Sequence, residues 1–401
     1  MNMIKDKHFI FTGLQAWDLD IGSNAKDIAI EISKYNKVLY VNYPFDWKNF
    51  IKLKKDSFDK TRANNVNKRQ HPLKRINNNL WVLDLPFFIY PTNILPDGSI
   101  FDYINKKNNI KIFNYINYFV KKLAFSNIIH FNDNDIYRSF YSKEILKPSL
   151  SIYYRRDNLL NVPYWKKHAH RLEPLLIMKS DLVVTNSVQF AKYSQLYNKN
   201  SFDIGQGVDL KLFNYRPYPT PNDIKDIPRP IIGYTGLLTS LRLDINLIYD
   251  LVKVSPNYSF VFVGKEDHDF SSHEIHKMNN VHFTGEKNIK EIPNYIYSFD
   301  ICINPQLTNE VTIGNYPRKI DEYLSLGKPI IATNTCAMKI FKNHIHLCTN
   351  IEEYQSAIKE CLNEHNNDYL VKSRIEFAKT HTWEESVKKL YKYIELHLNC
   401  I

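Results

Sequence analysis

Asn315-Tyr-Pro-Arg-Lys-Ile-Asp-Glu-Tyr-Leu-Ser-Leu-Gly-Lys-Pro-Ile-Ile-Ala-Thr333 reads as a loop, a short helix, a glycine stop and a buried strand. Pro317 suits a first helical turn, where its missing N–H has no partner to lose. Gly327 suits the position just past a helix end, where a left-handed backbone is cheap only for glycine. Lys328-Pro329 turns the chain, and Ile330-Ile331-Ala332 has the short apolar run of a strand. Arg318, Lys319 and Glu322 sit between these marks. A helix N-terminus carries partial positive charge and unpaired N–H groups, so it welcomes phosphate. Two cations there add to the attraction, and a carboxylate one turn later can accept hydrogen bonds from sugar hydroxyls. The combination suits a nucleotide-sugar.

The same alternation continues outward from this stretch. Strand-like segments are expected at 7–12, 37–41, 80–83, 127–130, 151–154 and 181–185, and again at 230–234, 259–263, 281–283, 300–303 and 329–332. Helical patterns fall near 24–35, 100–125, 164–178 and 187–197, then near 244–254, 289–298, 318–326, 352–363 and 384–398. Short apolar strands alternating with helices predict an α/β fold built on parallel, doubly wound sheets. Pro217, Pro219, Pro221, Pro228 and Pro230 punctuate a polar stretch between the two series and read as a linker. Of eleven glycines, eight lie between Gly205 and Gly327, mostly after apolar runs. Turns at the carboxyl ends of parallel strands look like this, and ligands of open α/β sheets bind at those ends.

At 401 residues the chain is long enough for two cores, and 44% hydrophobic with 24% charged residues marks it as globular. The net charge of +11 favours anionic partners such as nucleic acid, anionic lipid or phosphorylated substrates. Cys302, Cys336, Cys348, Cys361 and Cys400 form no C-x-x-C pair and join no His cluster at metal spacing, which suits reduced thiols in a cytoplasmic protein. No apolar run approaches the ~20 residues that cross a bilayer, and Met1 to Gly13 lacks the core and cleavage site of a signal peptide.

Six segments now stand in a recognisable order: 181–187, 207–213, 232–236, 259–264, 281–285 and 317–329. Together they resemble the retaining GT-B glycosyltransferases of family four, and among them the teichuronic-acid-type cell-surface polysaccharide transferases. The resemblance implies two Rossmann-like domains facing across a cleft: an acceptor-side domain over 1–212, a nucleotide-sugar domain over 213–375, and a final helix, 376–401, crossing back to the first. By the same resemblance, Glu322 holds the donor ribose and Lys319 lies near the diphosphate. Gly233 and Gly236 let the backbone approach the phosphates, Thr284 and Gly285 wall the base, and Arg242 adds a phosphate contact; Arg318, from its place at the helix start, is a further donor-binding candidate. Two departures matter. Many relatives carry a second glutamate eight positions before Glu322, where this chain has Gly314, with Glu310 the nearest acid. A lysine five positions after Arg242 is replaced by Leu247, which leaves Lys319 and Arg318 more of the diphosphate charge to meet.

Other candidates lie in the first half. His130 ends its expected strand, and related enzymes bring a histidine from there toward the reacting centre; a capped or surface histidine is the plainer reading. Asp157 follows the strand at 151–154 and can orient an acceptor hydroxyl or act as a base, or else pair with its neighbours Arg155 and Arg156. Trp17, Asp18 and Asp20, in the first strand-to-helix loop, join Arg155 and Arg156 on the acceptor side, with Ser23 or Asn24 as a helix cap. His130, Asp157 and Lys319 are thus the catalytic candidates. Glu322 also has a plain alternative, an ion pair with Arg318 one turn back. Asp18-x-Asp20 and Asp133-x-Asp135 look like metal-binding pairs of other transferases, but those have a different fold, and no metal or other cofactor is expected.

Residues 47–75 hold ten Lys and Arg against Asp56 and Asp59, most of the chain's net charge, with Trp47, Phe50, Ile51 and Phe58 interleaved. This suits an anionic membrane surface and an acceptor carried on lipid, unless the segment is a solvated loop or helix. The expectation is a cytoplasmic enzyme, peripheral at the inner membrane face, that moves a sugar from a nucleoside diphosphate to a glycan or lipid-linked acceptor in bacterial surface-polysaccharide assembly. A nucleotide-sugar epimerase of the same fold and a catalytically silent glycan-binding relative are the alternatives. Nucleic acid is not an expected partner, because no nucleic-acid motif is visible.

Overall fold

The computed structural model describes residues 4–18, 22–52, 71–309, 312, 314–364 and 367–399. The chain divides into two compact units, Met1–Ile204 with Val387–Ile401, and Gly205–Ser386. The final helix, Trp383–Leu398, therefore starts in the second unit and continues in the first.

The first unit holds strands β1 (His8–Gly13), β2 (Lys37–Val41), β3 (Phe45–Asp46), β4 (Leu73–Arg75), β5 (Leu80–Leu83), β6 (Phe88–Ile89), β7 (Ile128–Asp133), β8 (Leu150–Arg155), β9 (Leu182–Thr185) and β10 (Ser201–Asp203). Eight of them form one sheet in the order β10-β9-β8-β7-β1-β2-β5-β4, parallel except for the β4–β5 pair, and β3 pairs with β6 apart from it. Its helices are α1 (Asn24–Ser33), α2 (Trp47–Lys52), α3 (Ser99–Lys122), α4 (Ser142–Leu146), α5 (Pro163–Lys179) and α6 (Val188–Gln195). Ser23 caps α1, its hydroxyl accepting from the Lys26 N–H.

The second unit carries β11 (Ile231–Thr235), β12 (Ser259–Val263), β13 (Val281–Gly285), β14 (Ile301–Asn304), β15 (Ile330–Thr333) and β16 (His346–Cys348). With them run α7 (Ile245–Lys253), α8 (His268–Ser271), α9 (Ile292–Ser298), α10 (Lys319–Ser325), α11 (Ile351–Asn363) and α12 (Asp368–Lys379), and α13 (Trp383–Leu398) ends the chain. The sheet order β13-β12-β11-β14-β15-β16 is all parallel. It is the doubly wound order in which the first and fourth strands lie side by side at the centre. Both faces are covered, as the period-two alternation requires. Ile231, Val261, Val263, Cys302, Ile330 and Ala332 pack with Tyr295, Ile320, Tyr323 and Leu324 on one side. Ile232, Tyr234, Phe260, Phe262, Ile301 and Ile331 pack with Ile248, Leu251, Ile358 and Cys361 on the other.

Three local results differ from the sequence reading. The strand expected to end at His130 runs on to Asp133, because Phe131 and the polar residues after it pair with Phe11, Thr12 and Gly13 of β1. The helix at 318–326 begins at Lys319, so Pro317 precedes it. The proline-rich stretch packs within the second unit: Ile224 is buried and Asp223 accepts from the Tyr295 hydroxyl at 2.8 Å.

Candidate functional site

In a doubly wound sheet the crevice opens outside the carboxyl ends of the two central strands, here β11 and β14. The chain leaves β11 through Gly236 (φ +128°), a conformation that L side chains rarely adopt. The Gly236 N–H donates to the Val263 carbonyl at 2.9 Å, and the Leu238 N–H to Lys265 at 2.9 Å, so the loop follows the end of β12. Gly264 packs against it so closely that a Cβ there would stand 1.9 Å from the Gly236 oxygen. The loop's far end is tied to the exit from β14: Leu307 N–H donates to Arg242 O at 2.8 Å, and Asp244 N–H to Pro305 O at 3.0 Å.

Helix α10 presents its first residue to this loop. Lys319 Nζ donates to the Tyr234 hydroxyl at 2.7 Å and lies 4.3 Å from the centre of that ring. Tyr234 in turn donates to the Leu237 carbonyl at 3.2 Å. A Cβ on Gly236 would stand 3.2 Å from Lys319 Cε and Nζ, so a bare backbone and an ammonium meet where any other residue would intrude. Tyr323, also on α10, is fixed to the same strand end, its hydroxyl accepting from the Thr235 N–H at 2.8 Å. Asp321 is fully buried, accepting from Tyr316 Oη at 2.6 Å and held by His381 Nδ1 at 3.1 Å. Burial pushes its carboxyl up, against the lowering effect of those partners. These contacts fix the helix so that Lys319 and Glu322 stay on its partly exposed side.

Arg318 Nε lies 4.0 Å from Glu322 Oε1, and its guanidinium is 5.2 Å from the Trp383 ring centre. Two cations at the start of a helix oppose its dipole at a cost of about 0.3–1 kcal/mol each, unless an anion joins them. The helix end is conventional by contrast. Gly327 takes φ +69°, with Gly327 N–H donating to Leu324 O and Lys328 N–H to Tyr323 O, the paired bonds of a glycine-terminated helix.

The remaining candidates of this unit are spread along the same sheet edge. Arg242 is exposed in the loop after β11. Gly233 lies inside β11, and the space left by its missing side chain is filled by Phe299, whose ring a Cβ would meet at 2.1 Å. Thr284 and Gly285 end the edge strand β13. Thr284 Oγ1 is buried without a hydrogen-bond partner, and Gly285 (φ +73°) has open space where a side chain would stand.

In the first unit the corresponding place is where β1 and β7 end. A Cβ on Gly13 would stand 2.5 Å from Asp133 Cβ. Asp133 is 1% exposed; burial pushes its carboxyl up, while Arg156 pulls it down. Arg156 pairs with Asp133 at 2.6 Å and with Asp157 at 2.5 Å, so these three charges form one group. Arg155, one residue earlier, points to the other sheet face: it is 2% exposed, pairs with Glu173 at 3.1 Å and lies 4.4 Å from the Tyr193 ring centre. His130 is 1% exposed, with Nε2 at 2.9 Å from the Thr12 hydroxyl, and burial holds its pKa down at about 3, so the ring is neutral. Trp17 is buried, edge-on to Tyr40 at 5.2 Å, with Lys26 Nζ donating to its carbonyl at 2.9 Å. Asp18 is exposed, and Asp20 lies outside the described residues. The carboxylates of Asp133 and Asp135 go to different arginines, Arg156 and Arg138.

Sequence reasoning missed Tyr234, Tyr323 and Asp321, and weighed Asp133 only as half of a metal-binding pair; all four position the candidates it named. A tyrosine in an apolar strand reads as core, and only the three-dimensional pairing shows its hydroxyl at work. Among the described residues, His346, Cys361 and Glu364 form the one His/Cys/carboxylate group with ligand atoms within 4.8 Å of one another; Glu364 there is paired with Arg374.

Residues 229–364 match the family model described as Glycosyl transferases group 1. The Bacillus subtilis (strain 168) protein named as the teichuronic acid biosynthesis glycosyltransferase TuaH is 23% identical over 249 residues, which are 59% of this chain and 62% of that protein. Thus the match spans about three fifths of that relative's length. Among solved structures, sucrose-phosphate synthase from Thermosynechococcus elongatus superposes with TM-score 0.70 at 13% identity, covering 99% of this chain and 100% of that one. Anabaena HepE in complex with UDP and glucose gives 0.65 at 14%, covering 97% and 99%. The catalytic domain of Arabidopsis thaliana starch synthase IV, bound to ADP and acarbose, gives 0.65 at 11%, covering 99% and 100%. At these identities the structures establish the fold: α/β, with two Rossmann-like domains of the GT-B type.

Proposed function

We propose, from the premise that residues 229–364 form a group 1 glycosyltransferase domain, that this chain transfers a sugar from a nucleoside diphosphate to a glycan or lipid-linked acceptor in bacterial surface-polysaccharide synthesis. The observation that carries the reading is the meeting of Gly236 and Lys319 outside the central strand β11, with no Cβ between backbone and ammonium. An anionic diphosphate fits that place for two reasons. The loop admits it sterically, and Lys319, Arg318 and Arg242 supply positive charge. These cations take the part that a divalent ion plays in other transferases, so the reaction is proposed to run without a metal. Glu322 is assigned to the ribose hydroxyls and the unpartnered Thr284 hydroxyl to the edge of the base. HepE, solved with UDP-glucose, supports a nucleotide-sugar as the donor.

As the sugar's bond to the diphosphate breaks, charge develops on the leaving oxygen, and preorganised cations stabilise it most at that moment. Retention of configuration is proposed by the likeness to retaining relatives. The acceptor hydroxyl then attacks from the face the diphosphate leaves, and its proton passes to the departing phosphate or to Asp157, whose carboxylate Arg156 holds in place. His130, neutral and bonded to Thr12, is assigned the positioning of the β1 and β7 ends. Trp17, Asp18 and Arg156 are assigned to the acceptor, with Arg155 supporting them through Glu173. A lipid-linked acceptor agrees with the basic stretch 47–75, whose described part includes exposed Trp47 and Ile51, and the enzyme would then work at the inner face of the membrane. Lys54 to Arg69 of that stretch lie outside the described residues. Among the described residues no helix is long and apolar enough to cross a membrane.

Calorimetric binding of UDP-, GDP- and dTDP-sugars tests the donor site. Saturable binding of one class, weakened in Lys319→Ala, is expected; binding of none rejects the assignment. Product analysis separates transfer from epimerisation, because an epimerase turns over its donor with no acceptor present.

A further inference from the structure

We propose that the outward face of α3 is a docking surface for an anionic lipid bilayer. The choice of a membrane as partner deepens the reading of residues 47–75 above, but the surface itself lies elsewhere in the sequence and stands on its own geometry. Helix α3 has 24 residues and is therefore about 36 Å long. One side belongs to the core, where Phe101, Ile112, Phe113, Ile116 and Phe119 are buried. The opposite side repeats at helical spacing through Ile100, Tyr103, Lys107, Ile110 and Tyr118. Ile100 is 61% exposed, Tyr103 59%, Ile110 40% and Tyr118 60%. Single exposed apolar residues need no explanation, but four aligned along one helix face do.

Five of the six charged side chains on this helix are lysines. Lys106, Lys107, Lys111, Lys121 and Lys122 are all exposed. The one acidic residue of the helix, Asp102, is paired with Arg171 at 2.9 Å, a guanidinium that it shares with Asp97. Lys107 Nζ lies 4.4 Å over the Tyr103 ring, so cation and aromatic share one surface. The surface also extends beyond the helix. Asn108 bonds both the N–H and the carbonyl of Tyr90 at 3.0 and 2.9 Å, and Lys111 Nζ donates to Phe88 O at 2.9 Å. Phe88 stacks on Trp47 at 4.1 Å. Exposed Tyr90 and Trp47 therefore adjoin the α3 stripe.

This chemistry selects among anionic partners. Lysines alone would serve nucleic acid or an acidic protein, but those partners leave Ile100 and Ile110 in water. A bilayer interface takes both: headgroup phosphates meet the lysines, tyrosine and tryptophan rings lie at headgroup depth, and isoleucines reach the acyl boundary.

Flotation of the full chain with vesicles of phosphatidylglycerol and phosphatidylcholine, and with phosphatidylcholine alone, tests the proposal. Wild type is expected to float with the anionic vesicles, more weakly as salt rises, and not with the neutral ones. Two variants are compared, Tyr103→Ser/Ile110→Ser/Tyr118→Ser and Lys106→Gln/Lys107→Gln/Lys121→Gln. Each is expected to partition about tenfold more weakly or worse, with circular dichroism and donor-nucleotide binding as in wild type. The two sets change different chemistry, so one still decides if the other fails to fold. Wild-type partitioning in a folded variant assigns the membrane to 47–75 instead and overturns the α3 surface. Failure of wild type to float, or retention of single-stranded DNA without flotation, overturns the lipid assignment. Loss of nucleotide binding alone would strike the transferase reading and leave this one standing.

Discussion

Lys319 is the residue on which the proposed donor site turns, and its surroundings state what its loss should do. Its ammonium has a hydroxyl partner in Tyr234, yet it stands beside Gly236, where the loop carries no side chain. Charge-assisted hydrogen bonds are worth roughly 1.5–3 kcal/mol each. Lys319→Ala is therefore expected to weaken donor use by about ten- to a hundredfold while leaving the melting temperature nearly unchanged. Steady-state kinetics with unchanged donor KM and kcat would reject the role. His130 makes a different kind of statement. Its ring is neutral in the fold, with a pKa held at about 3 by burial against an ordinary 6.5. Between those values the unfolded chain binds a proton that the folded chain does not, so stability falls as pH drops through that window. The share lost between pH 7.5 and 4.5 is about 2–3 kcal/mol. Urea unfolding at the two pH values should show His130→Asn losing less on acidification than wild type by about that amount; equal losses would mean that the histidine is protonated in the fold.

At the scale of elements, the sequence announced much of what the structure contains. The apolar runs read as strands at 230–234, 259–263 and 300–303 are strands at 231–235, 259–263 and 301–304, and Gly327 ends α10 in the left-handed conformation expected of it. What could not be read was direction. Arg155 and Arg156 are neighbours on paper, but a strand sends alternate side chains to opposite faces, so one is buried with Glu173 and the other joins Asp133 and Asp157. Gly233 and Gly236 looked like one loop, yet the first is a packing site for Phe299 and only the second leaves the strand. Short edge strands such as β4, β10 and β16, and helix α12, escaped because three polar-flanked residues or a mixed surface helix carry little periodicity. The close approach of Gly264 to Gly236 was invisible for the same reason: it joins two separate strand ends. Gly264→Ala would force the two loops apart and is expected to destabilise the chain by about 1–3 kcal/mol, as seen in denaturant titration. Gly236→Ala, which crowds Lys319 directly, is expected to lose donor affinity as well. A Gly236→Ala protein with wild-type nucleotide affinity would remove the loop from the site.

For the molecule as a whole, the two sheets make separable claims. The second unit has a sheet of the dinucleotide-binding order with its glycine loop at the central strand, and the first has a partly buried ion group at the matching end of its own sheet. A ligand that binds only the folded state stabilises it by mass action, about 2.7 kcal/mol at a hundred times its Kd. If the second unit alone receives the nucleotide, the gain should be local as well as global. Hydrogen exchange with saturating nucleoside diphosphate should slow at 234–242 and at the start of α10, with 128–133 and 150–157 of the first unit unchanged. Adding the complete donor with an acceptor analogue should then slow 155–157, since Arg156 and Asp157 are assigned to the acceptor. Protection confined to the first unit on nucleotide addition would reverse the division of labour, and with it the place of Lys319. Protection of both by nucleotide alone would instead show that the Asp133–Arg156–Asp157 group responds to the donor, making Asp157 a poor choice as the group that orients the acceptor.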